Sequence, residues 1–393
     1  MAYSEVVPIH KPRSPLLTSP RARAALTLPL VALAVRALGC IGTGGLTGGG
    51  SEPDAATPEA GPVTPDAGQP DVAQPDAESR CGPKKLDCLG GACVDGRCEP
   101  VMLAAAEPND LVVTLELDAT SFYYATKTGG TSDLVRCAKA GCATSRQLVV
   151  GGVDQPQHLT VRGGNLYFSM AQSGQRVLAR CPTTGCAAPT VLSAPTGIGG
   201  RQIAITDDAI YYLSGSELRR CDIGGCPAST TLVLGGLREP EGLAVANGEL
   251  VVAESDRANG GAGGRVTTTP VGGPAVSVGA LPFASHVRAT DRGALVSTYD
   301  VNGGSGGIYV YSSVRSTVVD APKHAYVDTA YDGTSVFYST YFGPLYRVRL
   351  GELPETLVTA EIHGIGADER AVYFTAPRGT PARVDGRVFR LAK

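Results

Sequence analysis

Tryptophan is absent from the 393 residues, methionine occurs three times and histidine only five times. Charge is sparse too: 18% of residues are charged and the net charge is −3, which excludes the basic footprint of a nucleic-acid binder. The longest apolar run, from about Ala24 to Leu38, is broken by Arg36 and is too short for a permanent membrane span. After residue 100 no window sustains a helical period. No Gly-x-Ser-x-Gly elbow occurs and no carboxylate pair stands out, so nothing points to covalent catalysis. Glycine, in contrast, is plentiful at 51 residues, as a chain with many tight turns requires.

What the chain does contain is repetition. The strand cores "FYYA" (122–125), "LYFS" (166–169), "IYYL" (210–213), "LVVA" (250–253), "LVST" (295–298), "VFYS" (336–339) and "VYFT" (372–375) follow one another at steps of 44, 44, 40, 45, 41 and 36 residues. Periods of this size mark propellers and solenoids. The second unit reads as four short strands, "HLTVRG", "NLYFSM", "RVLARC" and "PTVLSA". Gly163-Gly164 there, and Asn247-Gly248 in the fourth unit, are turn pairs that close tight hairpins. Seven helix-free, four-stranded units predict an all-β fold, a seven-bladed β-propeller over residues 99–393. The chain ends at "GRVFRLAK", only the third strand of the last unit, while "VMLAAAEPNDLVV" (101–113) fits the outer-strand template that precedes other blades. The N-terminal strand 101–105 is therefore expected to close the last blade and remove its open edge.

Ten of the eleven cysteines fall into two groups. Cys137 and Cys142, Cys181 and Cys186, and Cys221 and Cys226 each sit at the end of a third strand. Different blades fan apart, so the pairs cannot share one zinc ion, and the strand–helix setting of a redox motif is missing. Three hairpin disulfides are expected, Cys137–Cys142, Cys181–Cys186 and Cys221–Cys226. The segment 81–98, "CGPKKLDCLGGACVDGRC", is too short and glycine-rich for a core. It reads as a knob in which Cys81, Cys88, Cys93 and Cys98 pair among themselves, with connectivity open and zinc as the rival.

The eleventh cysteine is Cys40. Basic Lys11, Arg13, Arg21 and Arg23, a short apolar stretch and small Gly39 precede it, the parts of an export signal over residues 1–39. "ALGC" resembles the bacterial lipobox, whose cysteine is lipidated and becomes the mature N-terminus; ordinary signal cleavage is the alternative. Residues 40–80 are rich in Pro, Asp, Ala and Gly and cannot bury a core. They are expected to form a disordered tether reaching roughly 35 Å as a coil. The expected location is the cell envelope, outer membrane or periplasm, with membrane contact through the lipid alone.

In a propeller the first strand of each blade lines the central channel. The four histidines outside the signal region, His158, His286, His324 and His363, all fall just before such strands, and Asp110 holds the comparable place in blade 1. Imidazoles with a carboxylate suit a divalent metal such as Zn, Mn or Mg; the alternative is a polar rim that only solvates the mouth. Each cysteine turn emerges at the other end of its blade, so the disulfides should lie opposite this mouth. Two glycine-rich loops, "AESDRANGGAGGRV" (253–266) and "STYDVNGGSGGIYV" (297–310), lack the Gly-Lys-Ser/Thr ending and the following helix of a phosphate cradle. They are expected to be flexible hairpin loops on the mouth side, with Glu254, Asp256, Arg257 and Asp300 as ligand-contact candidates.

The stretch "PEGLAVANGELVVAES" (240–255) resembles the Pro-x-Gly-Leu-Ala-Val, Asn/Asp-Gly, Leu-Tyr-Val-Ala pattern of NHL, YncE and streptogramin-lyase propellers carried by exported bacterial lipoproteins. The resemblance implies a binding surface at the channel mouth. Some relatives are metal-dependent lyases with a channel-mouth histidine, for which His286, His324 or His363 would be the counterparts; many others are pure binding scaffolds. The functional expectation is a binding or interaction module for a protein or carbohydrate, leaning away from an enzyme. The alternatives are a metal-dependent lyase or hydrolase and a structural surface protein that displays the knob.

Overall fold

A computed structural model describes residues 81–83, 86–105, 111–128, 130–193, 203–274, 276–298, 306–311, 315–320, 326–340, 343–349, 351–376 and 386–393. The expected export signal (1–39), Cys40, the expected tether (40–80), Asp110, Asp300 and His324 lie outside these residues. Seven antiparallel sheets of four strands each form the body, and a small two-stranded hairpin, Cys93–Val94 with Arg97–Cys98, belongs to the knob. The seven-bladed β-propeller expected from the repeat is present. The inner strands of blades 1 to 7 are Leu111–Leu117, Gln157–Arg162, Ile203–Ile205, Pro240–Ala246, Ala284–Thr290, Tyr326–Tyr331 and Gly364–Ala367. Each packs against the next, and the seventh packs against the first.

Packing explains why the repeat shows as short apolar cores rather than alternation. The second strand of each blade is sandwiched between two neighbouring blades, so both of its faces are covered. Gly293–Thr298, Ser335–Thr340 and Ala371–Ala376 are buried along their full lengths. Phe122, Tyr123, Tyr167, Phe168, Tyr211, Phe337 and Phe374 on these strands are among the largest fully buried side chains. The core is therefore not one centre but a series of layers, with one apolar cluster at each junction between adjacent blades. Blade 4 approaches blade 5 so closely that a Cβ on Gly242 would lie 2.2 Å from the carbonyl oxygen of Ser285, which is why "PEGLAV" carries glycine there. The expected hairpin turns are present too: Gly163 and Gly164 have φ of 56° and 71°, the left-handed pair a tight turn needs.

Ring closure follows the expected clasp. Val101–Ala105 pairs antiparallel with Arg387–Ala392, matching Val101 to Arg390, Met102 to Phe389, Ala104 to Val388 and Ala105 to Arg387. A bulge between Met102 and Ala104 turns Leu103 and Ala104 inward together, while Met102 stays 52% exposed. Lys393 reinforces the closed end by donating to Asp332 of blade 6 and to the Asp368 carbonyl of blade 7.

The three hairpin disulfides form as expected, and the knob pairs Cys81 with Cys93 and Cys88 with Cys98. The knob is seated on the propeller. Arg390 donates to the carbonyls of Leu89 and Lys139, Arg370 to Asp87 at 3.2 Å, and Leu89 and Cys98 pack on the apolar clusters flanking blade 7.

Candidate functional site: the central channel

The inner strands enclose a channel with a cavity of about 920 Å³. Its mouth is shaped by a recurrent irregularity: a bulge interrupts the pairing near the start of the inner strand in blades 1, 2, 4, 5 and 6. Bulges cluster at rims and binding sites because one extra residue re-aims the neighbouring side chains. In blade 2 it falls between Gln157 and Thr160, and His158 within it takes a left-handed φ of 55°. His158, His286 and His363 all line the channel, as their place before or at the start of inner strands implied. The cysteine pairs lie at the far ends of third strands, which run parallel to the inner ones. The disulfides thus occupy the face opposite the histidines, as expected.

Two of these imidazoles are held by acidic groups. His363 Nε2 lies 2.8 Å from Glu361. His286 Nδ1 lies 3.1 Å from the Ser285 hydroxyl, which donates its own hydrogen to Glu241 at 2.8 Å. Since a carboxylate only accepts, the Ser285 hydroxyl that donates to Glu241 is left to accept from His286 Nδ1–H. Glu241 is itself fixed by Arg257 at 2.8 Å and by the Ser255 hydroxyl.

The histidines do not form a metal cage with other described groups. Among the described residues, no set of three His, Asp and Glu ligand atoms converges; the one convergent set is Cys81, Cys88 and Cys98, whose sulfurs are engaged in the knob disulfides. The expected ligands Asp110 and His324 fall outside the described residues.

Deeper in the channel is a charged trio that the sequence reading missed. Arg288 of blade 5 lies 3.5 Å from Glu116 of blade 1 and 3.6 Å from Asp328 of blade 6, and donates to the Ile365 carbonyl of blade 7 at 3.3 Å. Asp328 also accepts from the backbone N–H groups of Thr329 and Ile365, both at 2.8 Å. Burial within the channel walls pushes Glu116 up to about 7; Arg288 opposes the rise and Asp328 adds to it. Burial likewise raises Asp328, against the pull of Arg288 and of its backbone donors. A usable signal was available: charge interrupts the otherwise apolar inner strands at "LVVTLEL", "ASHVRAT" and "YVDTAY", whereas blade 3 has "IAI".

The loop candidates need correction. Glu254 is fully buried, gripped by Arg265 through two nitrogens at 2.8 and 3.1 Å, by the Thr267 hydroxyl at 2.6 Å and by the Arg238 N–H at 2.6 Å. Its carboxylate organises the loop and has no face toward a ligand. Asp256 is also buried, accepting from Asn259 at 2.7 Å, and Arg257 is committed to Glu241. Within the expected loop 253–266, residues 255–264 form a hydrogen-bonded turn containing the short helical piece Arg257–Asn259.

No protein-family model matches the chain, and no curated protein sequence matches it. Solved structures match its architecture. The β-propeller domain of Cps50 (Swd1) from Myceliophteria thermophila is 10% identical over 74% of this chain and 99% of that one, with a TM-score of 0.54. The β-propeller domain of the Trilobed protease from Pyrococcus furiosus is 11% identical over 73% and 94%, also at 0.54. That domain is described as having an open velcro topology, whereas here the first strand closes blade 7. Pyrococcus horikoshii acylaminoacyl peptidase matches at 10% identity and a TM-score of 0.53; this chain covers 72% of itself but about half (52%) of that protein. At such identities the likeness concerns the fold alone.

Proposed function

We propose that the protein is an exported, lipid-anchored interaction module of the cell envelope that takes a ligand into the histidine-side mouth of its propeller. The observation that carries this reading is the channel itself, a 920 Å³ cavity with His158, His286 and His363 at its entrance and Glu116, Arg288 and Asp328 within. Polar groups converging in a concave site are the general mark of a binding pocket. Five disulfides support an oxidising, exported setting, and the lipobox-like "ALGC" supports anchoring through Cys40. The resemblance to NHL and YncE repeats supports the mouth-side face as the working surface. The seated knob weighs against the reading in which the propeller merely displays it.

The test is retention on carbohydrate and peptide arrays by the full chain and by Thr160→Trp, which fills the channel from a partly exposed wall position. Retention lost in Thr160→Trp supports the reading; retention unchanged by it overturns it. A metal-dependent lyase or hydrolase is the second reading, favoured by three histidines on one channel. Metal content of the purified chain, compared with His286→Ala/His363→Ala, tests it: one metal per chain lost in the variant supports that reading, and none in either overturns it.

A further inference from the structure

We propose that the channel binds a small molecule through a carboxylate group, with Arg288 as the receptor for that carboxylate. This rests on the channel being the ligand site. Arg288 is a guanidinium on the channel wall, flanked by two carboxylates that it does not grip with both prongs. An arginine offers five N–H donors in a planar fork. Among the described residues its hydrogen bond is to the Ile365 carbonyl, and Glu116 and Asp328 are longer ion-pair partners at 3.5 and 3.6 Å. Charge-assisted bonds close to about 2.7–2.9 Å, so neither carboxylate makes the two-pronged contact a guanidinium favours. A ligand carboxylate entering from the mouth supplies that geometry.

Lys127, Arg162 and Arg176 also line the channel, Arg162 being paired with Asp207. A cationic ligand would instead have to displace Arg288 from between its two carboxylates. Gln155, Gln157, Thr114 and Thr160 on the same walls supply amides and hydroxyls for the body of a hydroxylated or amide-bearing molecule. The geometry also makes Glu116 a competitor: it faces the same guanidinium that the ligand needs, so neutralising it strengthens ligand binding.

The test is isothermal titration of the full chain with two acids, galacturonate and N-acetyl-alanyl-alanine, each beside its neutral counterpart, galactose and the dipeptide amide. Whichever acid binds tells a sugar acid from a peptide terminus. The expected result is an acid bound about tenfold or more tighter than its neutral partner, as for hydrogen bonds to a charged group. Arg288→Gln should lose about that factor, and Arg288→Lys, which keeps the charge without the fork, should fall between. Glu116→Gln should tighten binding about fivefold, as expected from removing one competing charge near a protein surface. This last arm reads out even where Arg288→Gln fails to fold. The proposal is overturned by neutral compounds binding as tightly as the acids, by an affinity indifferent to both residues, or by no binding of either acid. Array retention sensitive to Thr160→Trp but lacking a carboxylate preference overturns this inference alone; retention indifferent to Thr160→Trp overturns the functional reading beneath it.

Discussion

Leu103→Ala provides a direct probe of ring closure. Leu103 sits on the clasp strand at 7% exposure, packed with Val112, Leu115, Phe122 and Tyr124 of blade 1 and with Tyr373 and Val388 of blade 7. Its carbonyl also accepts from Cys142 N–H at 3.1 Å, so the strand cannot slide to refill a gap without breaking that contact. Leu→Ala at buried sites costs about 2–5 kcal/mol, and a well-held site belongs near ~3. For a body of this size each kcal/mol lowers Tm by roughly 2–4 °C, so the expected loss is about 6–12 °C. Met102→Ala is the matched control: the neighbouring residue of the same strand is half exposed and should cost under ~0.5 kcal/mol. Thermal melts of the full chain followed by circular dichroism read both. Equal Tm values for the two variants would refute the bulge-and-clasp account, because the bulge is what sends one side chain inward and its neighbour out.

Three further outcomes follow from the same structure. Glu254→Ala strands Arg265, Thr267 and the Arg238 N–H without their acceptor and should cost about 3–5 kcal/mol in urea unfolding, while leaving channel binding unaltered. Replacing Cys221 and Cys226 by serine opens a loop of sequence separation 5 and should cost about 2 kcal/mol by chain entropy, read as a lower urea midpoint at constant slope. Glu116 is raised from 4.5 to about 7 in the folded protein, so between those values the folded state keeps a proton that the unfolded state has lost. Its contribution to stability is accordingly full below about pH 4.5, declines as pH rises toward 7 and is absent above it. Glu116→Gln should therefore gain stability relative to the parent at pH 8 and gain nothing at pH 4, and a uniform offset across that range would contradict the assignment.

Blade count and closure are legible in the sequence because each blade repeats one burial problem. A strand covered on both faces must be apolar throughout, and seven such cores stand out at nearly equal spacing. The hairpin cysteines are legible for a related reason: five residues of separation at the end of a strand leave them no partner but each other. The knob's connectivity is not, since its four cysteines lie within eighteen residues and admit three pairings. Register alone brought His158, His286 and His363 to one channel, but whether their nitrogens meet depends on ring diameter and bulge placement, which local sequence does not encode. The trio of Glu116, Arg288 and Asp328 is assembled from blades 1, 5 and 6, far apart in the chain. Each shows beforehand only as a lone charge in an apolar strand. Glu254 was misread because its hairpin partner Arg265, directly opposite in register, converts an apparent loop acid into a buried ion pair.

The pairing of Val101–Ala105 with Arg387–Ala392 also imposes an order of events on the growing chain. Blades 1 to 6 are each made of consecutive segments and can zip up as they appear. Blade 7 needs a strand made before blade 1 and others made after blade 6. Until residues 387–392 emerge, the strand Val101–Ala105 has an unmatched hydrogen-bonding edge and a bare leucine, and blade 1 lacks one of its two neighbours. Every chain that stops short of about residue 387 is thus left with an adhesive edge rather than a slightly smaller propeller.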